Sequence, residues 1–159
     1  MLRNALGSLM GLIGAAAAVW SPFRAWYDGR HGREYGVQEL FTSAGITGHT
    51  PTLLASILLP YLFAAVLTLC AVLLRSRLLM ALAGLVVLGF TILWMVRQGQ
   101  AVGSLSVGGA GRGIGDGLAN ALGAGALILL GAAVMRGRPT PRPRPLPPTA
   151  PAAPPGGYA

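Results

Sequence analysis

The fold is decided by residues 53–96, LLASILLPYLFAAVLTLCAVLLRSRLLMALAGLVVLGFTILWMV, where three residues separate two long apolar runs. The runs are Leu53–Leu74 and Leu78–Val96, and Arg75-Ser76-Arg77 lies between them. As a helix, the first run would rise about 33 Å, which is enough to cross a hydrocarbon core of about 30 Å. A connection this short forces the two helices to run antiparallel. The stretch therefore predicts a transmembrane helical hairpin.

Two further apolar runs flank this hairpin, Leu2–Trp20 and Gly117–Met135. Only 10% of the 159 residues are charged, whereas soluble domains usually have about a quarter. The predicted fold class is therefore all-α, an up-down-up-down transmembrane bundle of four helices over residues 2–20, 53–74, 78–96 and 117–135. The first run also fits a cleaved signal sequence, since Arg3 precedes it and Ala15 to Ala18 offer a small-residue cleavage site. Its glycine pair favours an uncleaved span.

Small residues recur at four-residue spacing in the first and fourth runs, and such residues let helix backbones approach closely. Contact between these two helices within one bundle explains the pattern, and homodimerisation is the alternative. A proline inside the second run removes a backbone hydrogen bond and predicts a kink. The residues predicted to pack helices are Gly7, Gly11, Gly117, Ala121 and Gly125, and the kink is predicted at Pro60.

Polar segments complete the chain. Residues 21–52 form the longer predicted outer loop, with a turn at Asp28-Gly29 and helical spacing around Leu40 that indicates a short helix on the membrane surface. Residues 97–116 form the second outer loop, and their glycines predict flexibility. Residues 136–159 hold nine of the twelve prolines and predict a disordered, polyproline-II cytoplasmic tail.

The arginines set the predicted orientation. Four crossings put both termini on one side, which then holds seven arginines against five on the other side. The positive-inside rule places that side in the cytoplasm, and we expect a multi-pass protein of the cell membrane. Attraction to anionic lipid headgroups explains the net charge of +8 without nucleic acid. The arginines predicted to contact headgroups are Arg75, Arg77, Arg136 and Arg138.

Few polar residues are candidates for a functional site. Asp116 lies near the outer end of the fourth run with Asn120 one turn on, and an ionisable residue at a membrane is a functional hypothesis by default. The alternative is a carboxylate at headgroup level that favours a helix N-terminus. We expect no catalytic set, no metal and no cofactor. The first outer loop contains five acidic or histidine residues. A solvated loop is favoured over a metal site there because two glycines interrupt the spacing. The five residues are Asp28, His31, Glu34, Glu39 and His49.

The layout resembles that of small, uncharacterised four-span membrane proteins of GC-rich Gram-positive bacteria. The similarity lies in topology and in composition, since all twelve basic residues are arginine. The resemblance implies a bacterial membrane protein and no particular activity. We expect a non-enzymatic scaffold or an accessory subunit of a membrane complex, because packing motifs are present without a polar pathway. Its expected partner is another membrane protein or a second copy of this chain. The alternative is a small oligomeric transporter or channel, in which Asp116, Asn120 and Thr91 would face a shared cavity.

Overall fold

The computed structural model describes residues 2–42, 46–47, 50–103, 105 and 113–135. This part of the chain is mostly helical, which confirms the predicted preponderance of helix. The predicted tail, residues 136–159, lies outside the described residues, as do His49 and parts of both predicted loops. The described α-helices are α1 (Leu2–Trp20), α2 (Leu58–Leu74), α3 (Arg77–Val102) and α4 (Asp116–Val134), and the strands are β1 (Ala25–Tyr27) and β2 (Arg30–His31).

The four helices pack as a bundle in which each runs antiparallel to its neighbours. Helix α1 lies between α4 and α2, and α3 packs against the same two helices. Side chains that are fully or almost fully buried fill the centre, and each helix has small or apolar residues there. Representative core residues are Ala18, Ala64, Met80, Val87, Ala121 and Ile128.

The turn between α2 and α3 is as short as the sequence predicts. Arg75 adopts a left-handed conformation with φ of 50° and ends α2, while its backbone N–H donates to Val72 O. Ser76 is the N-cap of α3, and its hydroxyl oxygen accepts a hydrogen bond from Leu79 N at 3.4 Å. Serine at this position satisfies one of the N–H groups that a helix start leaves unpaired.

The predicted start of the second helix and the predicted kink are wrong. The predicted span began at Leu53, but residues Leu53–Ala55 form a 3₁₀ turn and α2 begins at Leu58. Pro60 is therefore the third residue of α2. The first-turn N–H groups of a helix have no intrahelical partner, so proline costs no hydrogen bond there and bends nothing.

Helix α3 is longer than its apolar run. It continues past Val96 to Val102 and ends at Gly103, whose φ is 80°. Arg97 lies within the helix, and its Nε donates to Leu40 O, in the segment after α1, at 2.9 Å. The last turns of α3 therefore take up part of what the sequence predicted as a flexible loop.

The segment after α1 is folded as well, and it adds a small β-hairpin to a structure that is otherwise mostly helical. Strands β1 and β2 form an antiparallel hairpin that turns at Asp28 and Gly29, both with positive φ. Three short 3₁₀ turns accompany it, and Leu40, predicted to face the membrane surface, is 1% exposed in one of them. We call residues 21–42 the cap, because they cover one end of the bundle.

The outside of the bundle is apolar. Large hydrophobic side chains point outward along every helix, among them Leu9, Leu69, Leu85 and Leu130, each at least half exposed. Three helices are long and apolar enough to cross a membrane by length and composition, namely α1, α3 and α4. Helix α2 is equally apolar but has 17 residues. An exterior of this kind is typical of a surface that faces lipid.

Candidate functional site

The cap is held on the bundle by a cluster of buried aromatic rings. Trp94 of α3 lies under Trp26 and Tyr35 of the cap, with ring centroids 5.0 and 5.1 Å away and nearly perpendicular planes. Trp26 also lies 6.0 Å from the ring of Tyr61 on α2. Edge-to-face contacts of this kind add to the stabilisation that burial of such large side chains provides.

Backbone contacts fix the hairpin on the segment that precedes α4. Asp28 N donates to Gly113 O at 3.0 Å, and Gly113 N donates to Asp28 Oδ1 at 2.6 Å. Gly115 N donates to Trp26 O at 2.8 Å. The aspartate that the sequence placed in a simple turn thus joins the cap to a segment 85 residues away.

Tight packing within the cap depends on Gly32. A Cβ at this position would lie 2.6 Å from Trp26 Nε1. The same indole nitrogen donates to Ser21 O at 3.0 Å, so the ring cannot turn aside without losing that bond. Gly32 therefore lets the cap close over the aromatic cluster.

Beneath the cluster, two hydroxyl groups join α2 to α3. Tyr61 Oη lies 2.5 Å from Thr91 Oγ1, and both side chains are fully buried. Thr91 Oγ1 donates to Val87 O at 2.6 Å, so its hydrogen is used and Tyr61 is the donor of the other bond. The pair satisfies its own hydrogen bonds, as buried hydroxyl groups must.

A recess of about 400 Å³ opens where the cap meets the last turns of α3. Its lining includes Tyr27, Asp28, Arg30, Tyr35 and Gln98, and we call it the cap recess. The guanidinium of Arg30 lies 4.4 Å from the centroid of the Tyr35 ring, and its Nη2 donates to Glu34 O at 2.8 Å. Burial raises the pKa of Tyr35 to about 12, so this phenol is neutral at physiological pH.

The two polar residues predicted as functional candidates lie close together at the capped end. Asp116 is the first residue of α4, and its carboxylate lies 3.7 Å from the Arg24 guanidinium. Both side chains are exposed. Asn120 Nδ2 donates to Ala17 O at 3.0 Å and so joins α4 to α1. Both residues line a recess of about 390 Å³ at this end of the bundle, together with Trp20 and Arg24.

The small residues predicted to pack helices lie against different partners. A Cβ on Gly7 would lie 2.6 Å from Gly131 O of α4, whereas one on Gly11 would meet the Met80 side chain of α3. Gly117 contacts the cap at Trp26, and Ala121 is fully buried. The remaining predicted residue, Gly125, faces Leu88 and Val87 of α3. Gly14, Gly84 and Gly131, which sequence reasoning missed, are packed as tightly.

Of the polar residues of the first predicted outer loop, the four that the structure describes do not converge on one point. His31 Nδ1 lies 3.4 Å from Glu34 Oε1, while Asp28 is bonded to Gly113 and Glu39 accepts a hydrogen bond from Thr47. In the described part of the chain, no group of three or more histidine, cysteine, aspartate or glutamate side chains is arranged to hold a metal ion.

The opposite end of the bundle carries basic residues. Arg75 and Arg77 are exposed there, and Arg75 lines a shallow recess of about 400 Å³ with Asn4 and Ser8 of α1. The ion pairs of the described residues, in contrast, all lie at the capped end. Arg136 and Arg138, also predicted to contact lipid, lie outside the described residues.

Comparison of the chain with protein-family models, with curated proteins and with solved structures gives no match. Function is therefore inferred from the cap, its recess and the bundle beneath them.

Proposed function

We propose that this chain is a multi-pass protein of the cell membrane that crosses the bilayer four times and acts as a non-enzymatic scaffold or accessory subunit of a membrane complex. The observation that carries the proposal is the separation of an apolar bundle from a polar cap. Its bundle has an apolar exterior and a closely packed centre, and the described polar core residues are uncharged. Its folded polar structure is concentrated in a cap at one end.

The packing of α2 supports four crossings. Its 17 residues rise about 25 Å, slightly less than a hydrocarbon core of about 30 Å. However, α2 lies alongside α3 from their shared turn at Arg75 to the Tyr61–Thr91 pair near the cap. If α3 crosses the membrane, α2 crosses with it, and residues 53–57 lie in the remaining interfacial depth.

The distribution of charge supports cytoplasmic termini. The tight turn with the exposed Arg75 and Arg77 belongs to the end of the bundle opposite the cap. Basic residues that adjoin a short turn have the strongest effect on orientation, and they favour the cytoplasm. The cap then faces the outside of the cell, and Arg75 and Arg77 meet anionic headgroups.

Cysteine accessibility tests this arrangement. In a Cys70→Ala background, single cysteines replace two exposed residues, Gln38 of the cap and Arg77 of the turn. An impermeant maleimide added to intact cells should label Gln38→Cys, and it should label Arg77→Cys only after permeabilisation. Reversed labelling would overturn the orientation, and labelling of both from outside would overturn a crossing by α2.

The scaffold role is tested by purification of the full chain in a mild detergent. A partner protein at fixed stoichiometry, retained when the detergent is exchanged, supports an accessory role. Purification as a single species after chemical crosslinking in the membrane contradicts it.

One observation favours the transport alternative, namely the cap recess above the Tyr61–Thr91 pair. A transporter would carry solute through the bundle from that end, and Asp116, whose side chain is 91% exposed there, would be the candidate ionisable residue at its mouth. Solute flux in proteoliposomes that is lost in Asp116→Asn would support transport. Unchanged flux would remove Asp116 from any pathway.

A further inference from the structure

The cap recess contains a buried polar atom without a partner. Gln98 is 7% exposed and lines the recess, and its Oε1 has no hydrogen-bond donor among the described residues. A buried amide oxygen left unpaired costs about 1–3 kcal/mol of folding free energy. Trp94 Nε1, one helical turn earlier and fully buried, is also without a partner in this part of the chain. A polar group bound in the recess would supply Gln98 Oε1 with the donor that the described part of the chain lacks.

The charge around the recess selects the kind of group that binds. Arg30 is engaged by Glu34, whose Oε2 lies 3.9 Å from Arg30 Nε, and Arg97 is engaged by Leu40 O. The charged side chains that line the recess are Asp28 and Arg30. Because Arg30 is engaged and no ion pair of Asp28 occurs among the described residues, the Asp28 carboxylate favours a cation over an anion. The ionisable groups of the cap and of the adjoining turn of α3, apart from tyrosine, are Asp28, Glu34, Glu39, His31, Arg24, Arg30, Arg33 and Arg97.

The residues that line the recess indicate which kind of cation it binds. Tyr27 supplies aromatic surface, which attracts organic cations, whereas the Tyr35 ring already carries the Arg30 guanidinium. Asp28 uses Oδ1 for Gly113 N, and its other oxygen is not used in that bond. An unpaired amide oxygen requires an N–H or O–H donor, which a quaternary ammonium lacks. A primary ammonium has both the charge and the donors.

We propose that the cap recess binds the primary ammonium group of a small amine, which donates to Gln98 Oε1 and is balanced by Asp28. The volume of about 400 Å³ is within the range of small-molecule sites, about 300–1,000 Å³. The amine is either a free solute or an ethanolamine lipid headgroup, because both present the same group. This site is independent of the scaffold role and of the number of crossings.

The test uses the full chain in phosphatidylcholine nanodiscs, with ethanolamine as the probe and tryptophan fluorescence as the readout. Trp94 reports on the recess because its ring lies 5.1 Å from that of Tyr35. Trp20→Phe removes the signal of an exposed indole. We expect a saturable change with ethanolamine, and binding of choline at least about tenfold weaker, since a charge-assisted hydrogen bond is lost.

Two glutamines on α3 give a matched pair of variants. Gln98→Leu should weaken ethanolamine binding at least about tenfold, and Gln100→Leu, at an exposed position two residues on, should leave it unchanged. Gln98→Met serves if the leucine variant does not fold. Wild-type affinity in a folded Gln98 variant, equal binding of choline, or no saturable binding at all would each overturn the proposal.

A second arm separates the two sources of the amine. Nanodiscs that contain phosphatidylethanolamine should compete with the ethanolamine probe if the lipid headgroup enters the recess. An unchanged affinity for ethanolamine in those nanodiscs assigns the recess to a soluble amine.

Discussion

The substitution Gly131→Ala tests the closest helix contact in the bundle. Gly131 of α4 crosses α1 at Gly7 and Gly11, and an added Cβ would lie 2.7 Å from Gly7 O and 3.1 Å from Gly11 N. Both atoms belong to the backbone of a helix, so neither can rotate away. The two helices must separate to accept one methyl group, and the core between them then loses contact.

A matched control, Gly123→Ala, isolates the free-energy cost of overpacking at Gly131. Gly123 is an exposed glycine of the same helix, and a Cβ there would meet no atom within 4 Å. Replacing glycine by alanine in a helix favours the folded state by about 1 kcal/mol at either position. This gain cancels when the two variants are compared. The difference that remains is the cost of overpacking, about 1–3 kcal/mol, with Gly131→Ala the less stable.

The free energy of unfolding is measured by titration of sodium dodecyl sulfate into dodecyl maltoside micelles, with circular dichroism as the readout. Because the contact lies within one chain, the difference between the variants should not depend on protein concentration. Equal or greater stability of Gly131→Ala would refute the α1–α4 contact. A difference that disappears on dilution would instead indicate that these glycines pack between two copies.

Three further substitutions address the cap and its surroundings. Tyr61→Phe removes the hydrogen bond to Thr91 and should cost about 0.6–1.7 kcal/mol of stability; a double-mutant cycle with Thr91→Val should show less than additive loss. Burial raises the pKa of Tyr35 from 10.0 to about 12. Because the fold favours the neutral phenol, this stabilisation is fully present below pH 10 and is lost as the pH rises through about 12. Tyr35→Phe should therefore reduce the loss of near-ultraviolet circular dichroism in that interval. Asp116→Asn breaks an exposed pair with Arg24 at 3.7 Å and should change the unfolding free energy by less than about 0.5 kcal/mol, so a larger loss would show that the pair contributes more than its exposure allows.

The sequence predicts the helices well because apolar runs and the positions of arginine leave few alternatives. The Arg75-Ser76-Arg77 turn is short, polar and placed between two long runs, and the predicted end of α2 at Leu74 is confirmed. The start of α2 was wrong because Leu53–Ala55 is as apolar as a helix. Hydropathy does not distinguish a 3₁₀ turn from an α-helix. Pro60 is also ambiguous, because proline is as typical of the first turn of a helix as of a kink.

The cap was missed because its order depends on contacts distant in sequence. Trp26, Tyr35 and Trp94 read as interfacial aromatic residues when each is considered alone, since nothing local brings residues 26 and 94 together. The one available signal was the number of aromatic residues in a loop otherwise predicted to be solvated. The Asp28–Gly113 contact also joins residues distant in sequence, and it forms only when the bundle has brought their segments to the same end.

The position of Gln98 connects stability with function. An aliphatic residue at the same position of α3 would pack against the cap without an unpaired amide, and replacement of an unsatisfied polar group by an apolar one is neutral or stabilising. Gln98→Leu should therefore unfold at the same or a higher detergent fraction than the wild type while it loses the amine. A gain in stability together with a loss of binding is the result expected of a site residue. A loss of both would instead assign Gln98 to the structure of the cap, because its amide would then have to be satisfied within the folded chain.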